Sequence, residues 1–155
     1  MKKLKPATIK AKLRKAKKIS KVKRIKKCPV RTAGEITVSK IEMIFEKFMK
    51  DLGITVKAQY QIGYKFYDFH ILGTNILVEF DGSYWHCDPA LYPNGPENSV
   101  QKKAIINDAY KNKLAASNGF ELIRVWENDF KLHPRSVAKR IKLILEENKK
   151  TREVK

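Results

Sequence analysis

The first 34 residues of this chain are poorly suited to building a core. Fifteen of them are Lys or Arg and none is Asp or Glu, the first acid being Glu35. Charges of one sign at that density repel, and a segment that buries little apolar surface does not fold on its own. Ile9, Leu13, Ala16 and Ile19, then Val22 and Ile25, recur at helical spacing. This thin stripe is expected to stay disordered or to turn helical against a polyanion. The other 121 residues hold 19 bases against 16 acids, almost balanced, and supply the fold. The chain thus reads as a basic arm, 1–34, followed by one domain, 35–155, with Pro29 and Gly34 marking the boundary.

A net charge of +18 placed this way points to a polyanionic partner. Polycations bind nucleic acid by releasing condensed counterions from phosphates. Lys10, Lys12, Arg14, Lys17, Lys18, Lys21, Lys23, Arg24, Lys26 and Lys27 are the arm's candidate phosphate contacts. An anionic membrane surface or an acidic protein are the other partners that charge alone allows. No apolar stretch approaches the roughly 18 residues of a membrane span, and the N-terminus lacks the apolar segment of a secretory signal. Cys28 and Cys87 cannot form a disulfide framework, so a reduced, cytoplasmic setting is expected. His86-Cys87 are adjacent, but Cys28, His70 and His133 are scattered, and no zinc site is expected. Nucleotide-binding and serine-hydrolase glycine motifs do not occur.

Ser39-Lys40-Ile41-Glu42 is a Ser-x-x-Glu capping box. Behind it Ile41, Phe45, Phe48, Met49 and Leu52 share one helical face, and Gly53 stops the helix. Residues 56–66 alternate loosely, as a strand with an irregular start. Residues 66–72 and 75–81 flank Gly73-Thr74 as a β-hairpin. Residues 88–99, with three prolines and an Asn-Gly, form a loop. A helix over 99–117 ends at Asn118-Gly119, a strand covers 120–126, and a last helix begins near Pro134 with Val137, Ile141, Ile144 and Leu145 inward. Helix, three strands, helix, strand, helix predicts an α/β fold: a small mixed sheet of about four strands flanked by helices.

The second hairpin strand carries the chemistry. Ile76-Leu77-Val78 reads as buried, yet Glu79 and Asp81 follow, two apart and therefore on one face. Pairing Leu72 with Ile76 sets Asp68 opposite Phe80; a slip of one residue sets it opposite Glu79. In both registers three carboxylates gather at one end of the hairpin. Like charges so close destabilise a fold unless a cation joins them, and oxygen ligands suit Mg²⁺. The alternative is three strand-end acids facing water. His86, directly after Tyr84 and Trp85, is a candidate general acid, phosphate-neutralising donor or metal ligand, or else a structural histidine. Trp85 either wedges between bases or packs beneath its loop, the preferred local role. Trp126 reads as core and Glu127 as a strand-end or capping group.

Together these segments resemble the PD-(D/E)XK nuclease superfamily. They look closest to its very-short-patch-repair (Vsr-like) branch, which includes phage homing endonucleases described by an EDxHD pattern. The resemblance spans about residues 38 to 130 and rests on four pieces. These are Ser39-Lys40-Ile41-Glu42; Tyr67-Asp68-Phe69; the fairly specific Asp81-Gly82-Ser83-Tyr84-Trp85-His86; and Asn107-Asp108 with Lys111 and Lys113, followed by Arg124-Val125-Trp126-Glu127. It implies a restriction-endonuclease-like core in which Glu42, Asp68, His86 and Asp108 fill the E, D, H and D positions. Asp68, with Glu79 or Asp81, would hold one or two Mg²⁺ ions. Asp81 stands where the superfamily usually has Lys, so Lys111, Lys113 or His86 would supply that charge. The Cys/His zinc set of mismatch-repair members is missing, which favours a homing-type or general nuclease.

The resulting expectation is a metal-dependent endonuclease of double-stranded DNA, encoded by a phage or mobile element. A catalytically inactive nucleic-acid-binding module of the same fold, and a non-enzymatic protein whose arm engages acidic partners or lipid, are the competing classes.

Overall fold

The computed structural model describes residues 39–153, so the arm and its candidate phosphate contacts lie outside the described residues. Helix α1, Lys40–Asp51, starts as its sequence requires: Ser39 Oγ accepts from the Glu42 N–H at 3.2 Å and donates to Glu42 Oε1 at 2.6 Å. Gly53 ends it at φ +77°, a conformation that costs a residue with a Cβ far more than glycine.

Four strands follow: β1 (Val56–Ile62), β2 (Lys65–Ile71), β3 (Ile76–Asp81) and β4 (Glu121–Trp126). They form one sheet in the order β1-β2-β3-β4, antiparallel except for the parallel pair β3 and β4. A parallel pair needs a crossover, and α2 (Ser99–Ser117) provides it. Two helices close the chain, α3 (Glu127–Leu132) and α4 (Pro134–Glu153). The mixed α/β architecture matches the sequence expectation. Two local features differ from it. The expected long first strand is split by a turn at Gly63-Tyr64, and a short helix not expected from the sequence, α3, begins at Glu127, the residue read as a strand-end or capping group.

The main core lies on one side of the sheet. Phe45 and Met49 of α1 pack with Phe69, Ile76, Val78, Phe80, Ile123 and Val125 of the strands and Phe130, Val137 and Ile141 of the last two helices. Phe45 is its centre, with four other phenylalanine rings 4.9–6.0 Å away. A smaller cluster of Ile62, Tyr67 and Leu77 meets Ala115 of α2 on the other side. β3 is therefore buried along its whole length.

The sheet is irregular where the acids sit. Tyr67 and Phe69 are two residues apart yet belong to different clusters, so the alternation of β2 breaks at Asp68. Across from it Gln59 adopts φ 52°, unusual for a residue with a side chain. β2 and β3 pair only at Phe69 with Val78 and His70 with Leu77. Continued by one residue, that register sets Asp68 beside Glu79, the second of the two registers the sequence allowed. The strands then part, and the Phe80 N–H donates to Asp68 Oδ2 at 2.7 Å, the carboxylate standing in for a ladder carbonyl.

Candidate active site

Glu79 and Asp81 project from β3 toward α2 and are 3% and 1% exposed. Burying two carboxylates costs several kcal/mol each unless partners are supplied. α2 and β4 supply them. Lys111 Nζ donates to Glu79 Oε2 at 2.5 Å, and Arg124 Nη1 donates to Asp81 Oδ2 at 2.6 Å. Arg124 Nη2 also faces Asp108 Oδ1 at 3.3 Å. Asp108 and Lys111 are three apart, so both look from α2 onto the sheet.

His86 arrives on the segment between β3 and α2, which is firmly held. Gln101, fully buried, donates to the Tyr84 carbonyl at 2.9 Å and accepts from the Glu97 N–H at 2.8 Å. Ser83 Oγ donates to Asp88 Oδ2 at 3.1 Å and accepts from the Asn128 N–H at 3.2 Å. So anchored, His86 Nδ1 donates to Asp108 Oδ2 at 2.8 Å and lies 3.4 Å from Asp81 Oδ1. His86, Asp108, Arg124 and Asp81 form a closed ring of alternating charge.

The electrostatics divide the site in two. In the ring, burial alone would lower the His86 pKa, but the Asp108 hydrogen bond and the charges of Asp81 and Asp108 outweigh it and raise the pKa. Burial would raise Asp108, but its bond and charge interaction with His86, helped by Arg124, hold it low. Beside the ring, burial pushes Asp68 up to about 6 against the opposing Phe80 N–H and Lys111, with Glu42 and Asp81 adding to the rise. Burial and repulsion from Asp68 push Glu79 up to about 7 despite Lys111.

Two places suit a cation. Asp81, His86 and Asp108 each offer a ligand atom, all within 4.8 Å of one another, although the Arg124 guanidinium already serves both carboxylates there. The second is Asp68 with Glu79. Among the described residues, buried Glu79 Oε1 has no hydrogen-bond partner and Asp68 beside it accepts only from the Phe80 N–H. A buried anionic oxygen without a donor is costly and is relieved by a hard cation.

The fold thus brings Asp68, Glu79, Asp81, His86, Asp108 and Lys111 together, with Glu42 close enough to act on Asp68. Lys113 stands exposed, two residues round the helix from Lys111. Trp85 is not packed beneath its loop as preferred: it is 59% exposed, its ring edge-on to Tyr84 at 5.0 Å between centroids and flanking Gly82, where an added Cβ would meet Trp85 Cδ1 at 3.4 Å. His70 is engaged elsewhere, donating to the Thr74 carbonyl at 2.9 Å and packing on Tyr60. Arg124 is the site residue that sequence reasoning passed over, treating it only as part of a strand signature. Its signal was a cation between Ile123 and Val125, inside the apolar run Leu122 to Trp126.

No family model and no curated protein sequence matches the chain. Among solved structures, the catalytic domain of the homing endonuclease I-Bth0305I is similar, with a TM-score of 0.49 and 14% sequence identity, covering 68% of this chain and 92% of that one.

Proposed function

We propose that this protein is a metal-dependent DNA endonuclease of the PD-(D/E)XK type, nearest the Vsr-like branch and homing-type in character. The observation that carries the reading is Glu79 Oε1, a buried carboxylate oxygen without a donor beside buried Asp68, at the sheet end where the His86–Asp108 pair also lies. The donor set fits a hard divalent ion: Asp68 and Glu79 would hold one or two Mg²⁺ ions, with Glu42 and Asp81 as neighbouring charges. Such an ion supplies polarisation of a phosphate and activation of water.

The chain's own residues do the rest. Lys111 fixes Glu79 through one oxygen and leaves the other available. Arg124 bridges Asp81 and Asp108, and Asp108 in turn orients His86 through Nδ1. That leaves Nε2 as the ring nitrogen to meet substrate. With its pKa raised, His86 is positioned to give a proton to the leaving oxygen or to offset charge growing on the phosphate. The arm, by its charge, would run along double-stranded DNA and set affinity more than sequence choice.

Incubation of supercoiled plasmid with the protein and Mg²⁺ tests the reading. Nicked or linear product with Mg²⁺ and none with EDTA is expected. One observation favours a second reading, the catalytically silent binding module: Lys111 and Arg124 already neutralise much of the acid cluster. DNA binding without cleavage under any divalent ion would select it.

A further inference from the structure

A second aromatic feature lies on the flank of α2 that meets the β1–β2 turn. Tyr64 of the turn and Tyr110 of α2 stack with centroids 5.6 Å apart and planes 28° from parallel, yet remain 51% and 39% exposed. The Lys65 ammonium lies 5.4 Å from one ring centroid and 5.5 Å from the other, and donates to the Asn107 side-chain oxygen. Rings locked in place while still open to solvent have already lost the rotamer freedom that binding would otherwise cost.

The surroundings select the partner. In β1, β2 and the turn between them the lone acid is Asp68, and in α2 it is Asp108, both engaged in the site. Lys65, Lys102, Lys103 and Lys113 on the same two segments stand exposed or half-exposed. Cationic ground around a stacked aromatic pair suits a nucleic acid strand, whose bases stack on aromatic rings while its phosphates pair with lysines. β2 begins and antiparallel β3 ends at the same end of the sheet, so the pair borders the carboxylate site.

We infer that Tyr64 and Tyr110, braced by Lys65, form a stacking step for an unpaired base of the DNA strand that runs past the site. The inference rests on the nuclease reading and deepens it: the preferred substrate carries unpaired nucleotides, as at a flap, gap or locally opened duplex.

Binding of the full chain to labelled DNA, followed by fluorescence anisotropy in EDTA at salt high enough to weaken the arm's contribution, tests it. The wild type is expected to bind a duplex with a short single-stranded gap more tightly than the fully paired duplex. Tyr64→Leu/Tyr110→Leu keeps apolar bulk but no π face and should lose about tenfold on the gapped DNA only. Tyr64→Phe/Tyr110→Phe should retain the preference. If the Leu variant keeps it, or the wild type has none, the stacking step is wrong while the nuclease reading stands. If the wild type binds no DNA of either kind even at low salt, both fall.

Discussion

His86 Nδ1 sits 2.8 Å from Asp108 Oδ2, joining a loop histidine to a helix carboxylate across 22 residues of sequence. The contact fixes the ring's orientation and raises its pKa together with Asp81. Asp108→Asn keeps a polar partner but removes the charge. It should lower the His86 pKa, move the corresponding limb of the pH–rate profile to lower pH, and reduce kcat by about 10–100-fold. His86→Ala should cost about 10²–10⁴-fold while DNA affinity in EDTA stays within about threefold. A pH–rate series on both variants checks this; an unmoved limb in Asp108→Asn would leave the pair a structural contact.

The raised acids make stability depend on pH in an unusual direction. Asp68 stands at about 6 against an ordinary 3.8, and Glu79 at about 7 against 4.5. Folded acids that hold protons more tightly than the unfolded chain stabilise at low pH and lose that contribution as pH rises through their folded values. Metal-free protein should therefore lose stability from pH 3.8 to about 6 through Asp68 and from 4.5 to about 7 through Glu79, by roughly 3 kcal/mol for either group and less than the sum for the coupled pair. His86, also raised, adds to the loss above its ordinary 6.5; Asp108, lowered, acts oppositely but only as pH falls through 3.8 and below. Urea unfolding in EDTA at about pH 5 and about pH 7.5 measures the difference, and Glu79→Gln should shrink it. Added Mg²⁺ should restore stability at the higher pH.

Lys111 and Glu79 are a buried pair, and removing one member strands the other. Lys111→Met should destabilise by about 3–5 kcal/mol, whereas Lys111→Met/Glu79→Gln should recover much of that loss. Chemical denaturation of the single and double variants reads out the coupling. Equal losses in both would mean that the lysine stem's packing, and not its charge, is what matters.

The fifteen Lys and Arg before Gly34 set an upper bound on the arm's phosphate contacts. Deleting residues 1–34 should flatten the slope of log affinity against log salt, each lost contact removing about 0.9 for duplex DNA. A slope unchanged by the deletion would move the phosphate contacts onto the folded domain.

Much of this fold can be read from local chemistry. Ser39 and Glu42 announce α1 because capping is a matter of a few adjacent residues, and Glu79 and Asp81 stand out because acids are rare in a strand that also holds Ile76, Leu77 and Val78. Four features are not legible in this way. The turn at Gly63-Tyr64 has no Asn-Gly signature and hides inside a run of strand-forming residues. The left-handed Gln59 and the parting of β2 from β3 accompany the reach of Asp68 to the Phe80 N–H, a contact that sequence spacing does not reveal. α2 shows little apolar periodicity because it covers a polar site, burying Gln101 and Lys111 beside Ala115. Arg124 gains its meaning only when β4 is laid parallel to β3, with Glu79 opposite it.

In the proposed reaction Asp68 and Glu79 hold the ion that makes phosphodiester cleavage possible. Asp68→Asn keeps an acceptor for the Phe80 N–H and removes only the charge, so the direct measurement is plasmid cleavage in Mg²⁺ by this variant beside the wild type, with DNA affinity of both taken in EDTA. Cleavage by the wild type, none by the variant, and matching affinities are expected. Undiminished cleavage by Asp68→Asn would contradict it.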